Sequence, residues 1–369
     1  MTKFSKWFKE LILPAGLLSS LIIGAGMFAL PYVFSEAGFL VGLFYLGAFT
    51  FAVTRIHLMY STLLSSTAED HRFVGLSKIY LGNWGFWTSL FTTVVGIVLI
   101  LLIYLVLSSS FIKIALPGID PLVGVLIFWL TAALANILSV KRLAGFEFLV
   151  TLAMALIVLV VFVYGLPKFE KAALTDINLG EAFLPYGAIL FALYGRAGIS
   201  SLRSYFRSNQ LPESKISRVI ILGTSFPALV YLLFVLGIVG LSGTVSADAV
   251  SGIVSAPPGL REMIGWLGIF SLWTSYVFLG LELRGILSSD FKLPALAVPL
   301  LVALSPIALY FAGLGNFIKL VGISGGVFLA LESIMVILMY GKIKTFGWFS
   351  RLLIAVFLLG GLYEILQLI

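Results

Sequence analysis

The fold of this chain is decided by residues 22–31, which read I-I-G-A-G-M-F-A-L-P. This stretch lies inside an apolar run long enough to cross a bilayer, which takes ~20 mainly apolar residues. Gly24 and Gly26 weaken a helix at its centre, and Pro31 has no backbone N–H to donate. A helix that serves only as an anchor has no use for such a centre. We therefore predict a broken membrane helix whose freed backbone groups bind a polar ligand at mid-membrane.

The composition is that of a polytopic membrane protein. Of the 369 residues, 61% are hydrophobic and only 11% are charged, whereas charged residues make up ~25% of soluble domains. The net charge of +7 is spread through short loops between apolar runs, and no nucleic-acid partner is predicted because no continuous basic face forms. Because the chain has no cysteine, disulfides and thiolate metal sites are excluded.

The apolar runs predict about eleven transmembrane helices of ~20 residues each. Their approximate bounds are 11–34, 39–61, 87–111, 122–138, 146–166, 182–202, 219–241, 263–283, 293–312, 317–340 and 348–368. The polar stretches between them have no room for a catalytic or nucleotide-binding head. We therefore predict a single transmembrane domain over residues 1–369.

The positive charges predict the orientation of the chain, because Lys and Arg concentrate in cytoplasmic loops. With the N-terminus inside, sixteen of the 23 Lys and Arg residues fall in inner loops, five fall in outer loops and two fall within spans. This bias predicts a cytoplasmic N-terminus and, with an odd number of spans, a C-terminus outside. The predicted location is the plasma (inner) membrane of a prokaryote.

A second glycine-weakened centre lies in the predicted sixth helix, where Gly195-Arg196-Ala197-Gly198 corresponds to Gly24-Ala25-Gly26 in the first. The two helices are five spans apart and therefore enter the membrane from opposite sides. Such a pair is typical of inverted-repeat transporters, although glycines also serve only for close helix packing. We predict repeats at about 11–166 and 182–340, followed by an extra C-terminal helix at about 348–368.

The residues around both breaks carry a family resemblance. The first-helix segment Gly24-Ala25-Gly26-Met27-Phe28-Ala29-Leu30-Pro31-Tyr32 resembles a signature of the amino acid/auxin permease group and the related hydroxy and aromatic amino acid permeases, in the amino acid-polyamine-organocation superfamily. Further matches are His57-Leu58-Met59-Tyr60, His71-Arg72, Tyr80-Leu81-Gly82 and Leu190-Phe191-Ala192-Leu193-Tyr194-Gly195. The resemblance implies the leucine-transporter fold, an all-α membrane bundle with a five-plus-five inverted repeat that works by alternating access.

The resemblance also implies an amino acid site between the two breaks. Independently of it, half-helix N-termini carry positive and C-termini negative partial charge, so that two facing breaks suit a zwitterion. Carried over by position, the site residues are Gly24, Ala25, Gly26 and Met27 on the carboxylate side and Leu193, Tyr194 and Gly195 on the other. Tyr104 and Trp273 are aromatic residues deep in predicted spans, and they are either pocket or gate residues or packing residues.

A cation site follows from the same resemblance. In sodium-coupled relatives the ion lies between carbonyls of the first helix and hydroxyls of the eighth. The corresponding residues here are Ser20 and Ile23, with Ser271, Thr274 and Ser275 on one face of the eighth helix. Oxygen ligands suit sodium, but such hydroxyls also bond simply between helices. Sodium and proton coupling both stay open, and no cofactor beyond a sodium ion is predicted.

Ionisable residues within spans are costly and are candidate functional residues. These are Arg55, Arg196, Glu282 and Glu332. We predict that Arg196, in the sixth-helix break, contacts substrate or supplies a fixed charge in place of a cation, because a guanidinium stays protonated. Glu332 is the best candidate for a titratable carboxylate and a partner for Arg55 or Arg196. The alternative is a structural ion pair, such as Arg55 with Glu282 or Glu332.

The predicted function is secondary active transport of amino acids, with membrane lipid as the other partner. No Gly-x-Ser-x-Gly nucleophile turn is predicted, because the one such string, at Gly322–Gly326, lies inside an apolar span, and His-Glu-x-x-His is absent, which argues against an enzyme. No channel filter is visible. Two acids of the family pattern are also absent, since Ser200-Ser201 and Thr62 stand in their places. A non-transporting substrate sensor of the same fold is therefore the main alternative.

Overall fold

The chain is a bundle of helices. The computed structural model describes residues 7–67, 72–137, 144–170, 176–253, 256–289, 291, 293–294, 297–345 and 347–367, without the side chains of 144–148. The helices are α1a (Phe8–Ile22), α1b (Ala25–Ala37), α2 (Phe39–Ser65), α3 (Phe73–Ala115), α4 (Pro121–Ile137), α5 (Ala144–Gly165), α6a (Pro185–Leu193), α6b (Arg196–Ser208), α7 (Ile216–Leu241), α8 (Pro258–Ser289), α9 (Ala297–Phe311), α10 (Phe317–Tyr340) and α11 (Trp348–Leu366). Within these ranges no β-strand occurs.

Seven of the described helices are long and apolar enough to cross a membrane, namely α2, α3, α5, α7, α8, α10 and α11. The bent pair α1a and α1b gives an eighth, and α4 and α9 are apolar but shorter. The all-α membrane class is thus confirmed, whereas the total of about eleven spans stays a prediction. The predicted ends at 138 and 368 lie outside the described residues.

The largest difference from the predicted bounds is at α3. This helix begins at Phe73, whereas the predicted span begins at residue 87, because the stretch before Gly82 is helical rather than a loop. At Gly82 the backbone has φ 71° and ψ −156°, a conformation that favours glycine. The chain therefore turns at Gly82 between a short helix and the long apolar one.

The first helix is broken where the glycines predict it. At the end of α1a, Ile23 has ψ 108° and Gly24 is extended. The chain then re-enters a helix through a 3₁₀ turn at Ala25–Ala29, and the two halves are bent by 57°. Such a break leaves the last carbonyls of α1a and the first N–H groups of α1b without partners in their own helix.

The sixth helix is broken in the same way. After α6a ends at Leu193, Tyr194 is extended with ψ 121° and Gly195 has φ −138° and ψ 36°, before α6b begins at Arg196. Both predicted breaks are therefore confirmed. The tenth helix is continuous but contains a π-helical turn at Ser324–Leu329, a feature that often marks functional sites.

The loop between α7 and α8 is fastened by the carboxylate of Asp248. This group accepts hydrogen bonds from the Ser246 hydroxyl at 2.7 Å and from the Ser251 hydroxyl at 2.6 Å and backbone N–H at 3.1 Å. Burial alone would raise the pKa of Asp248. The hydrogen bonds of Ser110, Ser251 and Ser246 outweigh burial and hold the pKa below its ordinary value.

We expect Asp248→Asn to loosen this loop in a pH-dependent way. Because the folded pKa lies below the unfolded value of ~3.9, the ionised carboxylate stabilises the fold above that pH, and the contribution is lost as the pH falls through the folded pKa. The melting temperature of the variant should lie below that of the wild type at pH 7, and the difference should shrink below about pH 4. Glu262→Gln removes an exposed carboxylate and is the control. The interpretation would be contradicted if the difference in melting temperature between Asp248→Asn and the wild type did not change with pH, or if it equalled the difference for the control.

Candidate functional site

A cavity of about 120 Å³ lies between the two helix breaks, with α3, α8 and α10 completing its wall. A single water needs only ~10–15 Å³, so the cavity has room for a small organic molecule. The predicted site residues on its wall are Ser20, Ile23, Gly24, Ala25, Gly26, Tyr104, Tyr194, Gly195, Arg196, Ser275, Glu282 and Glu332.

Four other predicted residues are buried near the cavity or on its flanking helix, but they do not line it. Met27 and Leu193 are fully buried beside the breaks. Ser271 and Thr274 are buried on α8, where the Thr274 hydroxyl donates to the Ser271 carbonyl at 3.0 Å. Of the predicted sodium ligands, the structure therefore brings only Ser20, Ile23 and Ser275 to the cavity.

Two predicted residues lie elsewhere. The indole N–H of Trp273 donates to the hydroxyl of Thr131 on α4 at 3.1 Å. Residues two apart on a helix face opposite ways, so Trp273 turns away from the cavity that Ser275 lines, and its placement in the pocket is wrong. Arg55 is exposed on α2, and of the two predicted partners of Glu332, Arg55 and Arg196, the structure pairs it with Arg196.

That pair joins Arg196 to Glu332 at the edge of the cavity. The Arg196 Nε donates to Glu332 Oε2 at 2.8 Å, and a terminal nitrogen donates to Oε1 at 3.2 Å. The side chains are only 8% and 3% exposed. The Thr93 hydroxyl donates to Oε1 at 2.7 Å, and the guanidinium lies 4.1 Å from the centre of the Phe73 ring. This is a two-bonded ion pair with an additional donor and a cation–π contact.

The breaks are in direct contact because each has a glycine at the crossing. A Cβ on Gly26 would lie 2.5 Å from the Cα of Ala192, and a Cβ on Gly195 would lie 2.4 Å from Cγ1 of Ile22. On the α1 side, the Tyr104 hydroxyl lies 3.8 Å from the position that a Cβ on Gly24 would take. The first N–H groups of α1b give that wall a positive partial charge suited to a carboxylate.

His57 on α2 holds the other break. Its Nε2 accepts the Gly195 N–H at 3.1 Å, and its Nδ1 lies 3.0 Å from the Thr224 hydroxyl on α7. Because a backbone N–H can only donate, Nε2 carries no proton, and a neutral ring places its proton on Nδ1. The sequence analysis did not predict this role for His57. The only sequence feature that pointed to the residue was its place in the family match His57-Leu58-Met59-Tyr60.

A second cavity, of about 370 Å³, adjoins the first. It is lined by Tyr60 near the end of α2, Arg72 before α3 and Ile286 near the end of α8, and the charge bias predicts that these ends are cytoplasmic. Arg196 lines both cavities, as do Thr93, Ala197, Phe278 and Glu282. The Arg196–Glu332 pair therefore lies on the boundary between them.

The described residues include no cluster of three or more His, Asp or Glu side chains able to hold a metal ion. A cation in this part of the chain would have at most two such side chains as ligands, together with carbonyl and hydroxyl oxygens. Ser20, Ile23 and Ser275 are the predicted ligands of that kind on the cavity wall. The sodium site itself stays a prediction.

Two broken helices facing each other across a central cavity are the arrangement of the leucine-transporter fold. Solved structures agree, including the Eremococcus coleocola manganese transporter bound to an aromatic bis-isothiourea compound, with a TM-score of 0.67, 14% identity, and coverage of 100% of this chain and 87% of that one. The structure of MhsT in complex with L-phenylalanine gives a TM-score of 0.63, 17% identity, and coverage of 95% of this chain and 97% of that one. At these identities the likeness shows the fold alone.

The chain belongs to the tryptophan/tyrosine permease family, whose model matches residues 9–343. No curated protein matches the sequence at a significant level. The family and the fold confirm the predicted resemblance, and the protein is an integral membrane transporter rather than an enzyme. An amino acid is the substrate class that the family supports.

Proposed function

We propose that this protein is a secondary active transporter of aromatic amino acids that works by alternating access. The observation that carries the proposal is the facing of the two helix breaks across one cavity. The substrate carboxylate binds the N–H groups at Gly24, Ala25 and Gly26 with the Tyr104 hydroxyl. The ammonium lies at the carbonyl ends of α1a and α6a, which carry negative partial charge.

The rest of the cavity wall supports an apolar side chain on the substrate. The large apolar side chains on this part of the wall include Ile97, Ile100, Phe191, Phe278, Leu279 and Leu329. Apolar walls with a few convergent polar groups are the usual design of small-molecule sites. An aromatic ring also agrees with the family name and with the phenylalanine bound to MhsT.

The proposal includes coupling to a cation, either sodium or a proton. Sodium would bind at the carbonyls of Ser20 and Ile23 with hydroxyls of α8, of which Ser275 is on the cavity wall. A proton would bind Glu332 and release Arg196, which lies between the two cavities. In this second form of coupling, proton binding would change the contacts of Arg196 at the boundary between the substrate cavity and the second cavity.

Counterflow in proteoliposomes tests the function. Vesicles loaded with unlabelled tryptophan should accumulate external labelled tryptophan with saturation, and excess tyrosine or phenylalanine should compete whereas lysine should not. Binding that raises the melting temperature without any flux would instead indicate the sensor. Neither binding nor flux of any aromatic amino acid would contradict the proposal.

The coupling ion is assigned by repeating the assay with two variants. If sodium is coupled, transport by the wild type should depend on sodium, and Thr274→Ala/Ser275→Ala should lose that dependence. If a proton is coupled, Glu332→Gln should remove the pH dependence while sodium has no effect in the wild type. Transport that responds to neither sodium nor pH would exclude both forms of coupling.

A further inference from the structure

Tyr231 on α7 bridges the two helix breaks with its hydroxyl group. The hydroxyl lies 2.8 Å from the carbonyl oxygen of Ala192 and 3.0 Å from that of Ile22, and the residue is 0% exposed. Ile22 is the last residue of α1a, and Ala192 is in the last turn of α6a. Carbonyls at these positions lose their usual helical partners.

The two carbonyl groups repel each other electrostatically, and the Tyr231 hydroxyl reduces this repulsion. Each is at a helix C-terminus and carries negative partial charge, and Gly26 and Gly195 let the two chain segments approach to contact. In a low-dielectric interior the repulsion of such ends is only weakly screened. A group with positive partial charge is required between them, and a bound cation or a hydrogen-bond donor can supply it.

We infer that the Tyr231 hydroxyl is the positioning group of the substrate site. It shares one proton between the carbonyls of both breaks, and so it holds them in place at a point where a bound cation would otherwise be needed. The ligand assigned to these breaks rests on the proposed function, whereas the bridge itself does not. Tyr231 acts through the backbone that it fixes.

A second contact from the same face of α7 supports this role. Thr224 lies seven residues before Tyr231, which is two turns along one helix face. Its hydroxyl bonds His57, which in turn accepts the N–H of Gly195. Helix α7 therefore fixes the carbonyl side of the breaks directly and the N–H side of the sixth-helix break through His57.

The test compares Tyr231→Phe with Tyr276→Phe by hydrogen–deuterium exchange in detergent without substrate. Tyr276 on α8 is a matched control, since it is also 0% exposed and its hydroxyl has no hydrogen-bond partner in the described part of the chain. We expect amides around Ile22–Gly26 and Ala192–Gly195 to exchange at least about fivefold faster in the first variant, a modest local opening. The control should leave both segments unchanged.

Binding distinguishes failure of this inference from failure of the proposed function. Tyr231→Phe should also weaken tryptophan binding about tenfold, as the loss of preorganised backbone partners predicts. Faster exchange at the breaks in a protein that binds no aromatic amino acid would uphold the bridge and reject the substrate class. Unchanged exchange at the breaks would overturn the bridge, whatever the affinity.

A second pair of variants keeps the test decisive if the Phe variant does not fold. Tyr231→Lys and Tyr231→Met have unbranched side chains of similar reach, but only the Lys ammonium can donate to two carbonyls. The Lys variant should keep the slow exchange of the breaks, and the Met variant should lose it. Equal exchange in the two variants would overturn the inference.

Discussion

Gly26→Leu should abolish amino acid binding, with a loss of affinity of about 100-fold or more. This loss corresponds to a binding free energy of about 3 kcal/mol, which is at the upper end of what overpacking a core costs. A Cβ at this position would lie 2.5 Å from the Cα of Ala192 and 2.9 Å from Cδ1 of Phe191. Backbone cannot move aside as a flexible side chain can, so the two breaks must separate. The carbonyl and N–H groups of the proposed site then lose their spacing.

Gly47→Leu is the matched control, because a Cβ on this α2 glycine would meet nothing within 4 Å. Both variants are measured for tryptophan affinity by titration calorimetry after their melting temperatures have been compared. The control should bind as the wild type does. If Gly26→Leu bound tryptophan with unchanged affinity, the substrate would not lie between the breaks.

The breaks and the apolar helices could be predicted because each depends on local chemistry. A bilayer fixes the length of a span, and glycine weakens a helix wherever it stands. The same two facts explain why the bounds of α2, α7, α10 and α11 agree closely with the apolar runs. The short helix before Gly82 was missed because it is much shorter than the ~20 residues of a span.

The chemistry across the breaks could not be predicted, because it depends on how helices rotate about their axes. Sequence reasoning left Glu332 with two possible partners, Arg55 and Arg196, because this residue follows the π-helical turn at Ser324–Leu329, which changes the direction in which later side chains face. The roles of His57 and Tyr231 also escaped prediction. Their partners are backbone groups that the breaks expose, and no side-chain pattern marks them.

The Arg196–Glu332 pair replaces the fixed-charge hypothesis with a more specific one. Sequence reasoning allowed Arg196 to contact substrate or to replace a cation. In the structure its charge is already matched by a carboxylate and packed on Phe73. The charge therefore becomes available to a substrate or to the second cavity only if the pair opens.

Arg196→Met should lower the free energy of unfolding by about 3–5 kcal/mol, because it leaves the Glu332 carboxylate buried without its partner. The double variant Arg196→Met/Glu332→Leu should regain most of that stability, since apolar residues of similar volume replace a buried pair at little cost. If the pair is a gate, the double variant should fold well and still lose at least about 100-fold of its counterflow rate, equivalent to ~2.7 kcal/mol. Melting temperatures and counterflow separate the two effects.

Glu213→Gln is the control for removal of an ion pair in general. Glu213 binds Arg203 at 3.2 Å but is 58% exposed, and exposed pairs contribute only about 0–1 kcal/mol. This variant should therefore retain both stability and transport. Wild-type counterflow in the Arg196→Met/Glu332→Leu protein would mean that the pair only joins helices α6b and α10. Loss of flux with retained binding would instead place the pair on the path that substrate follows between the two cavities.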